Sequence, residues 1–378
     1  MSKILFIQDS QMSWQSGIWF HRTHLPTIGL QKRGHDVKAV ALGGQLDQAL
    51  IDWPDTVIFG RTYHPNLDPV NKLKMFKQAG ARILYDIDDD LWAVNPENPS
   101  VLVSNAFKDQ YEEMIRECDA VCTPSPELAK KIKRFVKGKE VHICPNAVTS
   151  QYYTDRVGGD SVLNIGYAGA ASHWRDLDLI VEPILELAKK YDFIFTLVGI
   201  VGGPLSSEMY AYNRIVSSGL QPEKEAYYKS ALEFYKKIST LGNRFVHIPF
   251  HMPEQYPWAL RASNLDIGLA PLAENEFNSG KSNIKYYEYA GVGTVTLASK
   301  TAPYTEEVNY LAKNSFKDWY KKLERLIVDE KFRKELLAKQ QKWVWDNRDV
   351  AKTGLRWELA AQKPGGLLVA NQDENLDK

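Results

Sequence analysis

The sequence predicts an α/β protein made of two Rossmann-like, doubly wound domains that face a central cleft. Short apolar runs alternate with longer segments of helical period along the whole chain, which is the pattern of parallel strands covered by helices. The length of 378 residues suits two domains of ordinary size. A polar stretch at residues 146–161 contains Gly158 and Gly159 and divides the strands into two series, so we expect the linker there.

The first series forms the predicted N-terminal domain, residues 1–155. Its strands are short apolar runs that end in polar residues or glycine, and its helices have apolar residues at steps of three and four. The predicted strands are 3–8, 36–42, 56–60, 82–86, 120–123 and 140–143. The predicted helices are 22–33, 69–79, 105–117 and 126–135.

The same alternation of apolar runs and helical segments begins again in the predicted C-terminal domain, residues 161–340. Its predicted strands are 162–168, 193–198, 244–248, 265–270 and 294–298. Its predicted helices are 175–191, 224–240, 253–262 and 282–290, and helical period continues over 313–362. Residues 199–242 are long for a single connection, and residues 363–378 are polar and without period, which predicts a tail.

Charge and composition exclude several classes of function. Lysine plus arginine and aspartate plus glutamate both number 47, so the chain has no net charge; charge gives no support to a nucleic-acid partner, and a local basic patch is left open. The three cysteines lack the spacing of a zinc site or a disulfide framework, which indicates a reducing compartment. No apolar run approaches the ~20 residues that span a bilayer. We therefore expect a cytoplasmic protein without a transmembrane segment.

The segment after the strand at 265–270 carries the most specific candidate site. Lys281, Lys285 and Glu288 follow at steps of four and three, which places them on one face of a helix that begins near Ser282. Two ammonium groups beside a helix N-terminus, with Ser282 and Asn283, suit a diphosphate, and Glu288 suits a pair of sugar hydroxyls. The alternative is a solvated helix face with an internal ion pair.

Two other strand ends carry candidate binding residues. After the strand at 162–168, Gly169 lets a ligand approach the backbone, and His173 and Arg175 are predicted to face the cleft, unless they serve only as capping or surface residues. After the first strand, Gly17 either admits a ligand to the backbone or belongs to an ordinary turn.

An acidic strand end and a basic run complete the candidates. Residues 86–90 hold four carboxylates, yet they lack the spacing of a calcium loop, so we expect no metal ion and predict Asp88 as a base or as an orienting group for an acceptor, with Asp89 and His64 as further candidates. The basic run 130–139 is either a solvated face or a dock for an anionic acceptor or for a membrane, which would make the protein peripheral there.

Several of these segments together resemble a known family. The stretches LQKRGHDV at 30–37, YDIDD at 85–89 and CDAVCTPSPEL at 118–128 lead to CPNA at 144–147, and IGYAG at 165–169 and KSNIKYYEYAGVGTV at 281–295 follow. In this order the chain resembles the GT-B-fold glycosyltransferases, in particular the retaining group similar to sucrose and glycogen synthases. The resemblance covers the chain to about residue 360.

The resemblance implies a nucleotide-sugar donor, with UDP or GDP as the nucleotide, held mainly by the C-terminal domain, and an acceptor held by the N-terminal one. Glu288 matches the glutamate that binds ribose, Arg175 falls near a basic residue that binds the diphosphate, and 349–362 matches a helix that returns to the N-terminal domain. Gly280 stands where many relatives have a second glutamate and Ala170 where many have arginine, so Lys281 is the candidate for the missing charge.

The function predicted is a metal-independent, retaining glycosyl transfer that needs no cofactor beyond the nucleotide sugar. In the predicted site Lys285, Arg175, His173 and Asp88 have the catalytic roles. The acceptor is left open among a glycan, a lipid-linked carrier, a protein and a modified nucleic acid. The alternative is a non-catalytic protein of the same fold that binds a nucleotide or a sugar.

Overall fold

The structure is a computed structural model, and its described residues fall into nine ranges. They are 1–8, 16–61, 67–94, 105–136, 138–158, 162–169, 173–199, 233–249 and 251–362. The predicted tail, the candidate His64 and most of the predicted helix 224–240 lie outside these ranges. The predicted domain boundaries stay predictions.

The first sheet has six parallel strands in the order β2-β1-β3-β4-β5-β6. The strands are β1 (Lys3–Gln8), β2 (Asp36–Ala41), β3 (Thr56–Phe59), β4 (Arg82–Asp86), β5 (Ala120–Thr123) and β6 (Glu140–Ile143). Each agrees with its predicted range to within one residue. The order reverses direction beside β1, and the carboxyl ends of β1, β3 and β4 share one edge of the sheet, where ligands of doubly wound folds bind.

The helices around this sheet bury apolar side chains against it. They are α1 (Gly17–Trp19), α2 (Leu25–Lys32), α3 (Gln48–Asp52), α4 (Pro69–Gln78), α5 (Lys108–Glu117) and α6 (Pro126–Phe135). A π-helix, Phe20–His24, joins α1 to α2, which is a distortion often found at functional sites. The five-residue helix α3 is too short to show a helical period, and the sequence did not predict it.

The second sheet is also parallel and has the order β12-β11-β10-β7-β8-β9. Its strands are β7 (Leu163–Ala168), β8 (Phe193–Val198), β9 (Phe245–Ile248), β10 (Ile267–Ala270), β11 (Val295–Ser299) and β12 (Leu311–Ala312). The edge strand β12 has only two residues, so no apolar run in the sequence predicts it. The two parallel sheets confirm the predicted α/β class with two doubly wound halves.

The helices after β7 include the one that carries Lys285 of the candidate site, and Lys281 lies in the turn before it. They are α7 (Trp174–Ala188), α8 (Tyr256–Ala262), α9 (Glu276–Ser279), α10 (Ile284–Gly291), α11 (Ala302–Thr305), α12 (Phe316–Val328), α13 (Glu330–Arg348) and α14 (Val350–Ala361). The predicted helical region 313–362 is thus three helices, because Asp329 and Asp349 leave the helical conformation and cap the helices that follow. None of the helices in the described ranges combines the length and apolarity needed to cross a bilayer.

The last helix, α14, packs against the first sheet. Its Trp357 is buried and meets the ring of Phe6 edge-on, with centroids 5.8 Å apart. Gly29 of α2 lets the two helices touch, since a β-carbon there would lie 2.5 Å from the Val350 carbonyl oxygen. The chain therefore passes between the halves twice, near Val148 and near Asp349.

Candidate functional site

A cavity of about 280 Å³ lies where the carboxyl ends of the two sheets face each other. Residues of α1, of the π-helix and of the segment after β4 form one wall, and His173, residues after β10 and the start of α10 form the other. The residues that line it are Gly17, Ile18, His21, Arg22, Asp88, Asp89, Asn146, His173, Pro271, Leu272, Lys281, Ser282, Ile284, Lys285 and Tyr304. Six of the ten predicted site residues are therefore in its lining: Lys285, His173, Asp88, Gly17, Lys281 and Ser282.

Lys285 is the buried cation of this cavity. It lies in the first turn of α10, which contains no acidic residue, and only 8% of it is exposed. Its ammonium group lies over the ring of Tyr167, 5.0 Å from the centroid, and has no hydrogen-bonding acceptor within the described ranges. Burial lowers the pKa of Lys285 to about 8, against the attraction of Glu288 and with the repulsion of Lys281. An anion in the cavity would reverse that shift.

Gly169, at the end of β7, makes room for this lysine. A β-carbon at Gly169 would lie 2.6 Å from the Lys285 Nζ atom and 2.7 Å from the Tyr167 hydroxyl. Atoms do not approach that closely, so any side chain here would displace the ammonium group. The glycine predicted to admit a ligand therefore also sets the position of Lys285.

His173 is held as a neutral imidazole at the edge of the cavity. Its Nδ1 atom lies 2.6 Å from Asp176 Oδ2, and the other oxygen of Asp176 accepts a hydrogen bond from the Ala273 amide at 2.7 Å. Burial lowers the pKa of His173 to about 4, and the charge of Lys285 acts in the same direction. With Nδ1 protonated and turned to Asp176, Nε2 is an acceptor suited to a hydroxyl group.

Arg175 does not line the cavity, contrary to the predicted orientation. The buried residues of α7 include Asp176, Leu177, Ile180 and Ile184, and at 3.6 residues per turn Arg175 falls on the opposite side, where it is exposed. Sequence spacing alone did not reveal which face of this helix would pack. Its predicted contact with the diphosphate has no support from this placement.

The wall opposite Lys285 carries paired charges. Asp88 lies 3.2 Å from Arg61 and Asp89 lies 3.5 Å from the same guanidinium, and Lys281 reaches across from the other half to within 3.6 Å of Asp89. Burial raises the pKa of Asp88, whereas Lys281 and Arg61 outweigh burial and lower the pKa of Asp89. Asp89 thus stays anionic, and Asp88 is the more readily protonated of the two. Within the described ranges, no group of three His, Cys, Asp or Glu side chains is arranged to hold a metal ion.

Arg22 and Asp86 form a buried ion pair beneath this wall, which the sequence did not predict. Arg22 donates to both oxygens of Asp86, at 3.0 and 2.6 Å, and also to the Cys144 carbonyl and to Asn146 Oδ1. Arg22 lies in the π-helix, which places its side chain beside the end of β4. Because its donors are already used within the protein, Arg22 supports the wall and has little capacity left for a ligand.

Glu288 and Asn283 lie beside the cavity but outside its lining. Glu288 is 5% exposed, and its oxygens face the hydroxyls of Tyr153 at 3.4 Å and of Tyr256 at 3.5 Å and the His21 Nε2 atom at 3.3 Å. Asn283 donates instead to Glu307, at 2.7 Å. Their partners are distant in the sequence, so spacing within α10 could not reveal these contacts.

Comparisons with solved structures identify the fold. No family profile and no curated protein sequence matches this chain. A glycosyltransferase from Rickettsia africae ESF-5 superposes with a TM-score of 0.62 at 14% identity, over 95% of this chain and 97% of that one. An alpha-glucosyltransferase solved in complex with UDP gives 0.66 at 12% identity, over 96% and 100%. The lipopolysaccharide outer core galactosyltransferase WaaB gives 0.54 at 13%, over 95% and 98%. These structures have the GT-B fold, and this chain shares it.

Proposed function

We propose that this protein is a glycosyltransferase that takes a sugar from a nucleotide-diphosphate sugar, with a UDP-sugar as the first candidate. One observation carries the proposal: the buried Lys285 ammonium group, without a described acceptor, faces the cavity at the start of α10. A buried cation is unfavourable unless an anion pairs with it, and a diphosphate supplies one. The GT-B alpha-glucosyltransferase, which has been solved with UDP and with UDP-glucose, supports a nucleotide of this kind.

The proposed reaction is transfer of the anomeric carbon from the diphosphate oxygen to an acceptor oxygen. The bond between the sugar and the diphosphate breaks, the bond to the acceptor forms, and the acceptor oxygen loses its proton. Negative charge grows on the departing diphosphate, where Lys285, Lys281 and the backbone amides of Ile284 and Lys285 at the start of α10 stabilise it. Because these groups supply the charge that a metal would otherwise supply, we propose metal-independent chemistry. We propose retention of the anomeric configuration on the resemblance to the retaining glycosyltransferases.

Two further residues have proposed roles in this reaction. The neutral His173 accepts a hydrogen bond from a hydroxyl of the sugar through Nε2, and Asp88, on the wall of the first sheet, orients the acceptor. A glycan, a lipid-linked carrier, a protein and a modified nucleic acid stay the candidate acceptors. The alpha-glucosyltransferase solved with DNA is one reason to include the last of them.

A binding assay followed by a product assay tests the proposal. UDP and GDP are titrated calorimetrically, and panels of UDP- and GDP-sugars are then incubated with the protein and candidate acceptors, with products identified by mass spectrometry. We expect Lys285→Ala to weaken nucleotide binding at least tenfold, and the exposed Lys339→Ala control to leave it unchanged. Nucleotide binding without any hydrolysis or transfer would instead favour a non-catalytic binding protein, and absence of binding would contradict both.

A further inference from the structure

The two segments that pass between the halves of the protein are hydrogen-bonded to each other. The Val148 amide donates to the Arg348 carbonyl and the Val350 amide donates to the Val148 carbonyl, both at 2.9 Å. Helix α13 ends at Arg348, and Asp349 is extended before α14 begins. Any change in the angle between the two sheets must therefore displace these two hydrogen-bonded segments.

Both crossing segments also reach the turn that precedes α10. From the first segment, Asn146 donates through Nδ2 to Ser282 Oγ, at 2.9 Å. From the second, the Arg348 guanidinium is ion-paired to Oε1 of Glu307, whose Oε2 accepts a hydrogen bond from Asn283 at 2.7 Å. Residues 282 and 283, directly before the helix of Lys285, are thus held by contacts from both connecting segments.

The Arg348 side chain is fixed in place by several contacts at once. It is 17% exposed and lies over the ring of Trp343, 4.9 Å from the centroid. Its Nε donates to the Tyr287 hydroxyl at 2.9 Å, and that hydroxyl donates to Glu307 at 2.6 Å. A closed network of charged and neutral hydrogen bonds transmits displacement better than a single contact, because no member can move alone.

We infer that Arg348 is a positioning residue for the diphosphate site. Through Glu307 and Asn283 it holds the first turn of α10, so the position of Lys285 depends on the angle between the two halves. The inference rests on the proposed function. Arg348 is not in the lining of the cavity, so an effect of its substitution on nucleotide affinity must be transmitted through the network.

The test measures UDP affinity and thermal stability of the full chain together. We expect Arg348→Met to weaken UDP binding by roughly tenfold, and Arg348→Lys, which keeps the charge, to restore part of the affinity. In a Lys285→Ala background the Arg348 substitution should have little further effect, because both act at one place. Lys342→Met, which breaks an exposed ion pair with Asp346 on the same helix, is the matched control and should bind as the parent does.

The outcomes separate this inference from the proposed function. If the parent protein binds no nucleotide, the proposed function fails. If the parent binds UDP and Arg348→Met loses stability but keeps its affinity, the network is only structural and the inference is wrong. Equal, additive losses in the Lys285→Ala background would also contradict it. If Arg348→Met does not fold, Glu307→Gln replaces it, since the amide keeps the shape and removes the charge that pairs with Arg348.

Discussion

Binding of a nucleotide sugar at Lys285 is expected to take up a proton, and the uptake should grow with pH. Burial lowers the pKa of this ammonium group to about 8, and a bound diphosphate would raise it again, to its ordinary value of 10.5 or above. With these two values, the uptake per site is about 0.1 proton at pH 7, about 0.5 at pH 8 and about 0.9 at pH 9. The affinity should fall about tenfold from pH 7 to pH 9, because only the protonated form attracts the anion.

Calorimetry of UDP-glucose in buffers of different ionisation enthalpy measures this uptake directly. The diphosphate of a nucleotide sugar has no proton to exchange in this range, and any ionisation of the uracil base near pH 9 is common to the parent and Lys285→Met. The difference in uptake between the two proteins therefore reports Lys285 and should approach about 0.9 proton at pH 9. Proton uptake by His173 would have the opposite pH dependence. Because the pKa of His173 is about 4 without ligand, any uptake by His173 on binding would decrease from pH 7 to pH 9. Constant affinity and zero uptake over this range would refute the assignment of Lys285 to the phosphate site.

Three further predictions follow from contacts in the described residues. Because the folded-state pKa of Lys285 lies below its unfolded value, stability should rise as pH increases from 8 to 10.5, and Lys285→Met should raise the free energy of unfolding at pH 7 by up to about 3 kcal/mol in urea titrations. Gly169→Ala, which places a β-carbon 2.6 Å from the Lys285 Nζ, should reduce UDP affinity at least tenfold in calorimetry, whereas parent-like binding would contradict the close contact. Arg22→Met leaves Asp86 buried and unpaired and should cost about 3–5 kcal/mol of stability at pH 7, with Arg33→Met, whose partner Glu358 is partly exposed, as the milder control in the same unfolding assay.

The strands could be predicted because each is an apolar run with polar residues at its ends. Eleven of the twelve agree with the structure to within about two residues, and the exception, β12, has two residues and no pattern of its own. The four missed α-helices, α1, α3, α9 and α11, have three to five residues, too few for a period of 3.6 to repeat. Sequence periodicity therefore predicted the strands and long helices of both sheets but not the shortest elements.

The candidate site was predictable where its residues follow one strand closely. Lys281 and Lys285 both follow β10 at the carboxyl edge of the second sheet, but α10 begins at Ile284, so the predicted placement of Lys281 on the same helix face was wrong: it lies in the turn before the helix. The directions of Arg175 and Glu288 were not predictable, because the first depends on which face of α7 packs and the second on Tyr153, Tyr256 and His21. Contacts between the two halves leave no pattern in a single sequence.

A crystal structure of the protein with UDP would locate the diphosphate relative to Lys285. We expect the diphosphate in the cavity between the sheets, with an oxygen about 3 Å from the Nζ atom of Lys285 and the Ile284 and Lys285 amides pointing toward it. A nucleotide bound elsewhere on the protein, or bound in this cavity with its phosphates turned away from Lys285, would contradict the account.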